Sequence, residues 1–194
     1  MRVLVLYAHP SETSFLSAIH ARVVQTLRAG GHEVDDLDLY AEKFDPVLSR
    51  KQLMSYVDVG ANTRGVEDYV ARLRAAEALV LAYPVWFDGL PAIMQGYFQR
   101  VFLPGVSTVV DKDRHFHPNL WNLKRIAAVC TYGEPRRDVT AKHDPPRRFV
   151  RDNIGALIDP KGRFEYFAIY GMDFVKPPRR AAFLRWVERA FRAW

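Results

Sequence analysis

Apolar positions recur along this chain in two alternating rhythms. Val3–Tyr7 is an unbroken β-rich run, the pattern of a central parallel strand buried on both faces. Over Ser14–Ala29 the spacing changes. Phe15, Ile19, Val23 and Leu27 fall on one helical face, and Gly30-Gly31 ends the helix because glycine accepts the left-handed cap. Glu33–Leu39 predicts a second strand. Residues 41–65 are less regular, with a short helical stretch near Arg50–Val57, and Val66–Ala76 reads as a helix. Glu77–Pro84 is a third strand stopped by proline. Leu90–Phe102 predicts an amphipathic helix carrying Ile93, Met94, Tyr97, Phe98 and Val101 along one side. Leu103–Trp121 reads as a non-helical insert with a hairpin around Asp111–Arg114. Arg125–Thr131 and Arg163–Tyr170 predict the fourth and fifth strands, with a helix inside Pro146–Leu157 between them. Phe183, Val187, Ala190, Phe191 and Trp194 mark a last helix.

Five strands separated by helices, with right-handed crossovers, predict an α/β fold: a doubly wound, five-stranded parallel sheet in one domain over residues 1–194. No G-x-G-x-x-G follows the first strand, which argues for strand order 2-1-3-4-5 over a Rossmann order. In such sheets a ligand sits beyond the carboxyl ends of the strands, near the switch point between strands 1 and 3. That rule nominates three loops: His9–Ser14, Pro84–Gly89 and Thr131–Arg136.

Composition narrows the picture only a little. With 49% hydrophobic and 26% charged residues, the 194-residue chain is ordinary for a soluble globular protein. Cys130 is the only thiol, so no disulfide framework forms within the chain, which fits a reducing compartment. No apolar run reaches membrane-spanning length and the N-terminal one is too short for a signal-peptide core, so a cytoplasmic location is expected. The net charge of +6 gathers in Arg136–Arg151 and Lys176–Arg192, which read as solvated faces. These stretches lack the interleaved aromatics of a single-strand binder, so no nucleic-acid partner is expected, and no metal site is nominated.

The loops carry the candidate chemistry. A helix start leaves four backbone N–H groups unpaired and its dipole favours an anion. Ser11, Thr13 and Ser14 add hydroxyls and His9 another donor, making a phosphate cradle without a P-loop lysine; a purely structural N-cap cluster is the alternative. In the second loop, Pro84, Gly89 and Pro91 shape a turn bearing the adjacent aromatics Trp86 and Phe87. Such surface calls for a planar heterocycle over it, or else for a neighbouring loop or subunit. Cys130 and Arg136 satisfy the C-x5-R spacing of phosphotyrosine phosphatases. That spacing is coincidental: Glu134 would put a carboxylate in the phosphate cradle, and Pro135 removes a donor.

Three segments together resemble the flavodoxin-like NAD(P)H:quinone oxidoreductase family, of the DT-diaphorase and bacterial short-chain type. They are "HPSETSF" (His9–Phe15), "DLYAEKFDPVLS" (Asp38–Ser49) and "YPVWFDGLPAIMQGYFQRVFLPG" (Tyr83–Gly105), and the likeness runs to about Gly133. The resemblance implies a flavodoxin-like fold and an FMN or FAD cofactor. It also implies two-electron hydride transfer from NAD(P)H to a quinone-like acceptor by ping-pong turnover, in a homodimer with shared active sites. By position, His9, Ser14, Phe15 and Leu16 fall where the family contacts flavin phosphate, and Pro84, Val85, Trp86 and Phe87 lie along the isoalloxazine. Thr131, Tyr132 and Gly133 fall at the pyrimidine side. Several positions depart from the family. Leu16 replaces a usual Asn, Asp88 an expected aromatic or apolar residue, and Cys130-Thr131-Tyr132-Gly133 half-matches Thr-Thr-Gly-Gly. His143 is the candidate for assisting hydride transfer, while Asp138 stands near an expected Tyr. The longer FAD enzymes carry a C-terminal extension not seen here, which keeps FMN open. Arg136, Arg137, Arg147 and Arg148 cluster where they could engage an NADPH 2′-phosphate. Some relatives are flavin-bearing ancillary subunits of potassium efflux systems, so the alternative role is regulatory, with peripheral contact to a membrane transporter.

Overall fold

The computed structural model describes residues 1–194. Its main sheet contains β1 (Arg2–Tyr7), β2 (Glu33–Asp38), β3 (Ala78–Val85), β6 (Arg125–Tyr132) and β7 (Arg163–Ile169), while β4 (Thr108–Val110) and β5 (Phe116–Pro118) pair as a separate hairpin. The main sheet is parallel throughout, in the order β2-β1-β3-β6-β7. This is the predicted 2-1-3-4-5 order, with the expected hairpin occupying the insert.

Strand alternation explains the two layers. Val3, Val5 and Tyr7 face one side of the sheet, where they meet Leu16, Ile19, Val23 and Leu27 of α1 (Phe15–Ala29) and Phe183, Val187 and Phe191 of α7 (Pro177–Phe191). Leu4 and Leu6 face the other. There they meet Val70 and Leu73 of α3 (Glu67–Ala75) and Met94, Tyr97 and Val101 of α4 (Ala92–Val101). Each fully buried Leu, Ile or Val contributes about 2 kcal/mol, so this α1 face alone is worth several kcal/mol before chain entropy.

Register positions the site. Tyr7 at the end of β1 pairs with Ala82, whereas the β3–β6 ladder continues three residues further, to Val85 and Tyr132. The sheet therefore ends in a step, and the chain leaving β1 crosses that step to begin α1.

The helices depart from expectation in places. α2 (Arg50–Met54) is shorter than the predicted Arg50–Val57, starting at a Ser49/Gln52 capping box. The helix inside Pro146–Leu157 is composite: α6 (Pro145–Arg148), then a π-helical turn over Phe149–Ile154 and a 3-10 turn over Gly155–Leu157. α5 (Arg136–Ala141) was not foreseen, because it buries only Val139 and so carries no periodic signal. α7 starts at Pro177, well before Phe183, since prolines suit the first helical positions where N–H groups lack partners anyway.

Candidate active site

The first wall of the site is built where β1 gives way to α1. Ser14 caps the helix, its Oγ accepting from the Ser17 N–H at 3.0 Å, and the Ala18 N–H reaches the Ser14 carbonyl. The N–H groups of Phe15 and Leu16 have no acceptor within the protein. His9 Nδ1 lies 2.9 Å from the Ser11 amide and 3.2 Å from its carbonyl oxygen. The shorter contact makes Nδ1 the acceptor and leaves the imidazole proton on Nε2. Burial lowers the His9 pKa, with the Ser11 backbone pulling the other way.

The second wall is the Trp86–Gly89 turn. Trp86 and Gly89 exchange both backbone hydrogen bonds, at 3.1 and 3.0 Å, across a two-residue loop. Its central residues, Phe87 and Asp88, sit at φ 54° and 56°. Positive φ at both positions is what a type I′ turn requires and what Asn-Gly usually supplies, so Phe and Asp here hold backbone strain. The turn presents Phe87 fully to solvent and leaves Trp86 44% exposed, its ring 5.9 Å from that of His9.

The third wall follows β6. The N–H groups of Gly133 and Glu134 lack acceptors within the protein. Tyr132 turns inward, its hydroxyl donating to Asp144 Oδ1 at 2.6 Å and lying 2.5 Å from the Tyr166 hydroxyl, with its ring stacked on Tyr170 at 4.7 Å. Burial, together with the bond to Asp144, drives the Tyr132 phenol far above its ordinary value. Tyr132 therefore offers the site its ring and backbone, not its hydroxyl.

These walls enclose two adjoining clefts of about 380 and 300 Å³ that share Val85 and Gly133. The larger brings together His9, Ser14, Phe15 and Leu16 from the first loop, Pro84 and Trp86 from the second, and Thr131 from the third. The smaller adds Phe87 and Tyr132. Ser11 and Thr13 line neither; their hydroxyls lie 3.2 Å apart and contact each other. His143 is exposed at φ 60°, with no side-chain hydrogen bond, and lines neither cleft. The four arginines stay outside as well; Arg137 pairs with Asp138, and Arg147 lies over the Tyr166 ring.

Four lining residues are not among the candidate site residues read from the sequence, although Asp88 and Glu134 lie in the nominated loops. Met172 and Asp173 arrive on a 3-10 turn after β7, at a strand end the carboxyl-edge rule covers but where no motif stood out. Asp88 and Glu134 edge the smaller cleft, both bound by Lys142 Nζ at 2.7–3.0 Å. The two carboxylates raise the Lys142 pKa, though such exposed pairs add little to stability. Cys130 is buried, its thiol directed at the Phe167 carbonyl at 3.6 Å, and burial pushes its pKa up. No thiolate faces this surface, in keeping with a coincidental C-x5-R spacing.

Residues 1–157 match the family model described as the flavodoxin-like fold. The chain belongs to that family. It is 32% identical over 152 residues to NAD(P)H dehydrogenase [quinone] 1 of Rattus norvegicus, an alignment covering 68% of this chain and 54% of that one. The chain spans about half the length of the curated relatives it matches. Among solved structures, the NAD(P)H:quinone oxidoreductase from Methanothermobacter marburgensis superposes with TM-score 0.84 at 22% identity, over 99% of this chain and 98% of that one. An FMN-dependent NADH-azoreductase from Bacillus anthracis, solved with FMN, superposes with TM-score 0.78 at 12% identity, over 98% and 97%. At these identities the structural likeness is one of fold. The relatives' names bear out the resemblance drawn from the three sequence segments. No helix is long and apolar enough to cross a membrane.

Proposed function

We propose that the chain is a flavin-dependent NAD(P)H oxidoreductase that passes two electrons to a quinone or similar acceptor by ping-pong turnover. One observation carries this reading: the free amides opening α1, the Trp86–Phe87 turn and the loop after β6 line two adjoining clefts at the step in the sheet, which share Val85 and Gly133. The residues present fit FMN or the flavin half of FAD. The amides of Phe15 and Leu16 and the His9 Nε2–H would hold its phosphate, which favours positive dipole ends and charge-assisted donors. Asp173 supplies a carboxylate that can accept from ribityl hydroxyls. Pro84, Val85, Trp86 and Phe87 make the apolar bed for a flat ring, and a type I′ turn pinned by two hydrogen bonds keeps that bed in place.

When bound, flavin supplies the hydride chemistry; the chain's share is to bind, orient and set the local field. The Gly133 and Glu134 amides are preorganised donors for negative charge beside the ring, where reduction needs it. Leu16 gives no polar contact where relatives of this type usually have Asn, so backbone donors carry more of the phosphate binding. His143 remains a candidate for assisting hydride transfer only if loop movement brings it from its exposed position. Exposed Val109, Val110, Phe116 and Trp121 on the β4–β5 insert supply apolar surface for the homodimer the resemblance implies.

The test is the absorption spectrum of purified protein, then chromatography of the released cofactor, which separates FMN from FAD. Rapid menadione-dependent NAD(P)H oxidation is the expected activity. A colourless protein that takes up neither FMN nor FAD overturns the reading. A flavin-loaded protein inactive with every quinone tried, and co-purifying with a transporter, replaces catalysis with the regulatory role.

A further inference from the structure

A third cleft, of about 330 Å³, lies between α4 and the segment 45–64 and shares no lining residue with the two described above. It is built around Arg100. The glycine one turn earlier lets the chain approach: a Cβ on Gly96 would lie 2.3 Å from the Pro46 carbonyl oxygen, so only glycine admits the loop this close. Arg100 Nη1 then donates to the Asp45 carbonyl and sits 3.3 Å from Asp45 Oδ2, and the guanidinium lies over the Phe44 ring at 5.5 Å. Half of the guanidinium is left over. The side chain is only 9% exposed, Nε is sealed from solvent with no acceptor, and Nη2 makes no hydrogen bond.

Leaving donors of a buried guanidinium unmet is costly, and two more unpaired cations stand on the same cleft. Lys51 and Arg64 line it and make neither a salt bridge nor a side-chain hydrogen bond. Ser49 and Ser55 also line it, their hydroxyl protons already given to Gln52 Oε1 and the Gln52 carbonyl. Against three positive charges the lining has one carboxylate, Asp45, itself 66% exposed. Of the two lining amides, Asn62 is already spent on the Tyr56 and Pro104 carbonyls and holds the far wall in shape, while Gln52 Oε1 accepts from Ser49. An excess of directed donors around a buried guanidinium matches a tetrahedral oxyanion, and the volume admits roughly ten waters' worth of ligand.

We propose that this cleft binds a phosphate dianion, either inorganic or as the terminal phosphomonoester of a small metabolite. Arg100 provides the anchored donor Nη2, and Lys51 and Arg64 close over the anion from the rim. The site is independent of the flavin reading, since it uses none of the same residues.

The test is calorimetric titration of the flavin-loaded protein with inorganic phosphate and, separately, with AMP, at constant ionic strength set by chloride. Saturable uptake is expected, and Lys51→Ala/Arg64→Ala, which changes only exposed side chains, weakens it by at least about tenfold. Asp45→Asn removes the one opposing charge and tightens it. AMP binding at least about tenfold tighter than phosphate marks a phosphorylated metabolite as the ligand, and equal binding marks the free ion. No saturable uptake of either probe overturns the proposal. So does uptake unchanged in the double variant, or uptake that displaces flavin. A double variant that instead changes the sedimentation coefficient assigns the cleft to contact between copies, and also overturns it.

Discussion

Beside α1, the hollow at the carboxyl edge of the sheet presents backbone: unpaired amides of Phe15 and Leu16, with those of Gly133 and Glu134 opposite. No lysine or arginine lines it, and Asp88, Glu134 and Asp173 contribute negative charge. Between α4 and segment 45–64 the arrangement is reversed. There the donors are side chains, Arg100, Lys51 and Arg64, and the backbone serves mainly to pin them. The difference teaches how each site is specified. Helix amides are aimed by the fold itself and carry partial charges that pH leaves alone, whereas side-chain cations carry full charges that salt screens. A flat, neutral-ringed ligand suits the first; a compact dianion suits the second.

The comparison breaks most sharply at Gly96. Gly96→Ala should cost about 1–3 kcal/mol through overpacking against Pro46, read as a lowered denaturation midpoint. It should also abolish phosphate uptake while sparing flavin; loss of flavin with phosphate uptake intact would invert the assignment. Ser14→Ala works on the other site. It removes the α1 cap for about 1 kcal/mol and loosens flavin, leaving the Arg100 cleft untouched. Asp88→Gly should move stability upward by about 1 kcal/mol, since strain at φ 56° is relieved at some entropic cost. Turnover should fall in the same variant, because the turn that orients Trp86 and Phe87 loosens; a lower denaturation midpoint would show that the Lys142 bridge outweighs the strain. Raising ionic strength until the Debye length shrinks from about 10 Å to about 3 Å should erode phosphate uptake steeply and flavin retention little.

The smallest effect is a pH dependence. Burial lowers the His9 pKa in the folded state, so the unfolded chain binds more protons at acidic pH. The contribution of His9 is therefore full above about 6.5, its ordinary value, and is lost as pH falls through the lower folded value. His9→Gln should flatten that limb of the stability profile; an unchanged acid limb would mean that His9 takes up its proton alike in the folded and unfolded chain.

Much of the fold was readable because burial imposes periods. β1, with both neighbours paired, is apolar at every position from Val3 to Tyr7, and α1 repeats its apolar face at helical spacing. α5 and the Met172–Phe174 turn bury almost nothing, so no pattern marked them. For the site, glycine and proline punctuation and an aromatic pair flagged the Trp86 turn. Sequence placed Tyr132 beside the site, where it lines the smaller cleft, but could not say that its hydroxyl turns inward to Asp144 and Tyr166. The Arg100 cleft was invisible for a different reason: Asp45, Pro46, Gly96 and Arg100 fall in two segments quoted for their family likeness, and nothing in either says that they touch.

By itself the sequence determined the alternation of elements, the strand order and the three loops gathered at the strand ends, because hydrophobic period and chain connectivity are properties of the linear chain. Tertiary structure alone decided which amides stayed unpaired, which tyrosine turned inward and which arginine was left with spare donors. Those outcomes depend on contacts between residues far apart in the chain, and hydrogen-bond satisfaction is settled only when every neighbour is in place.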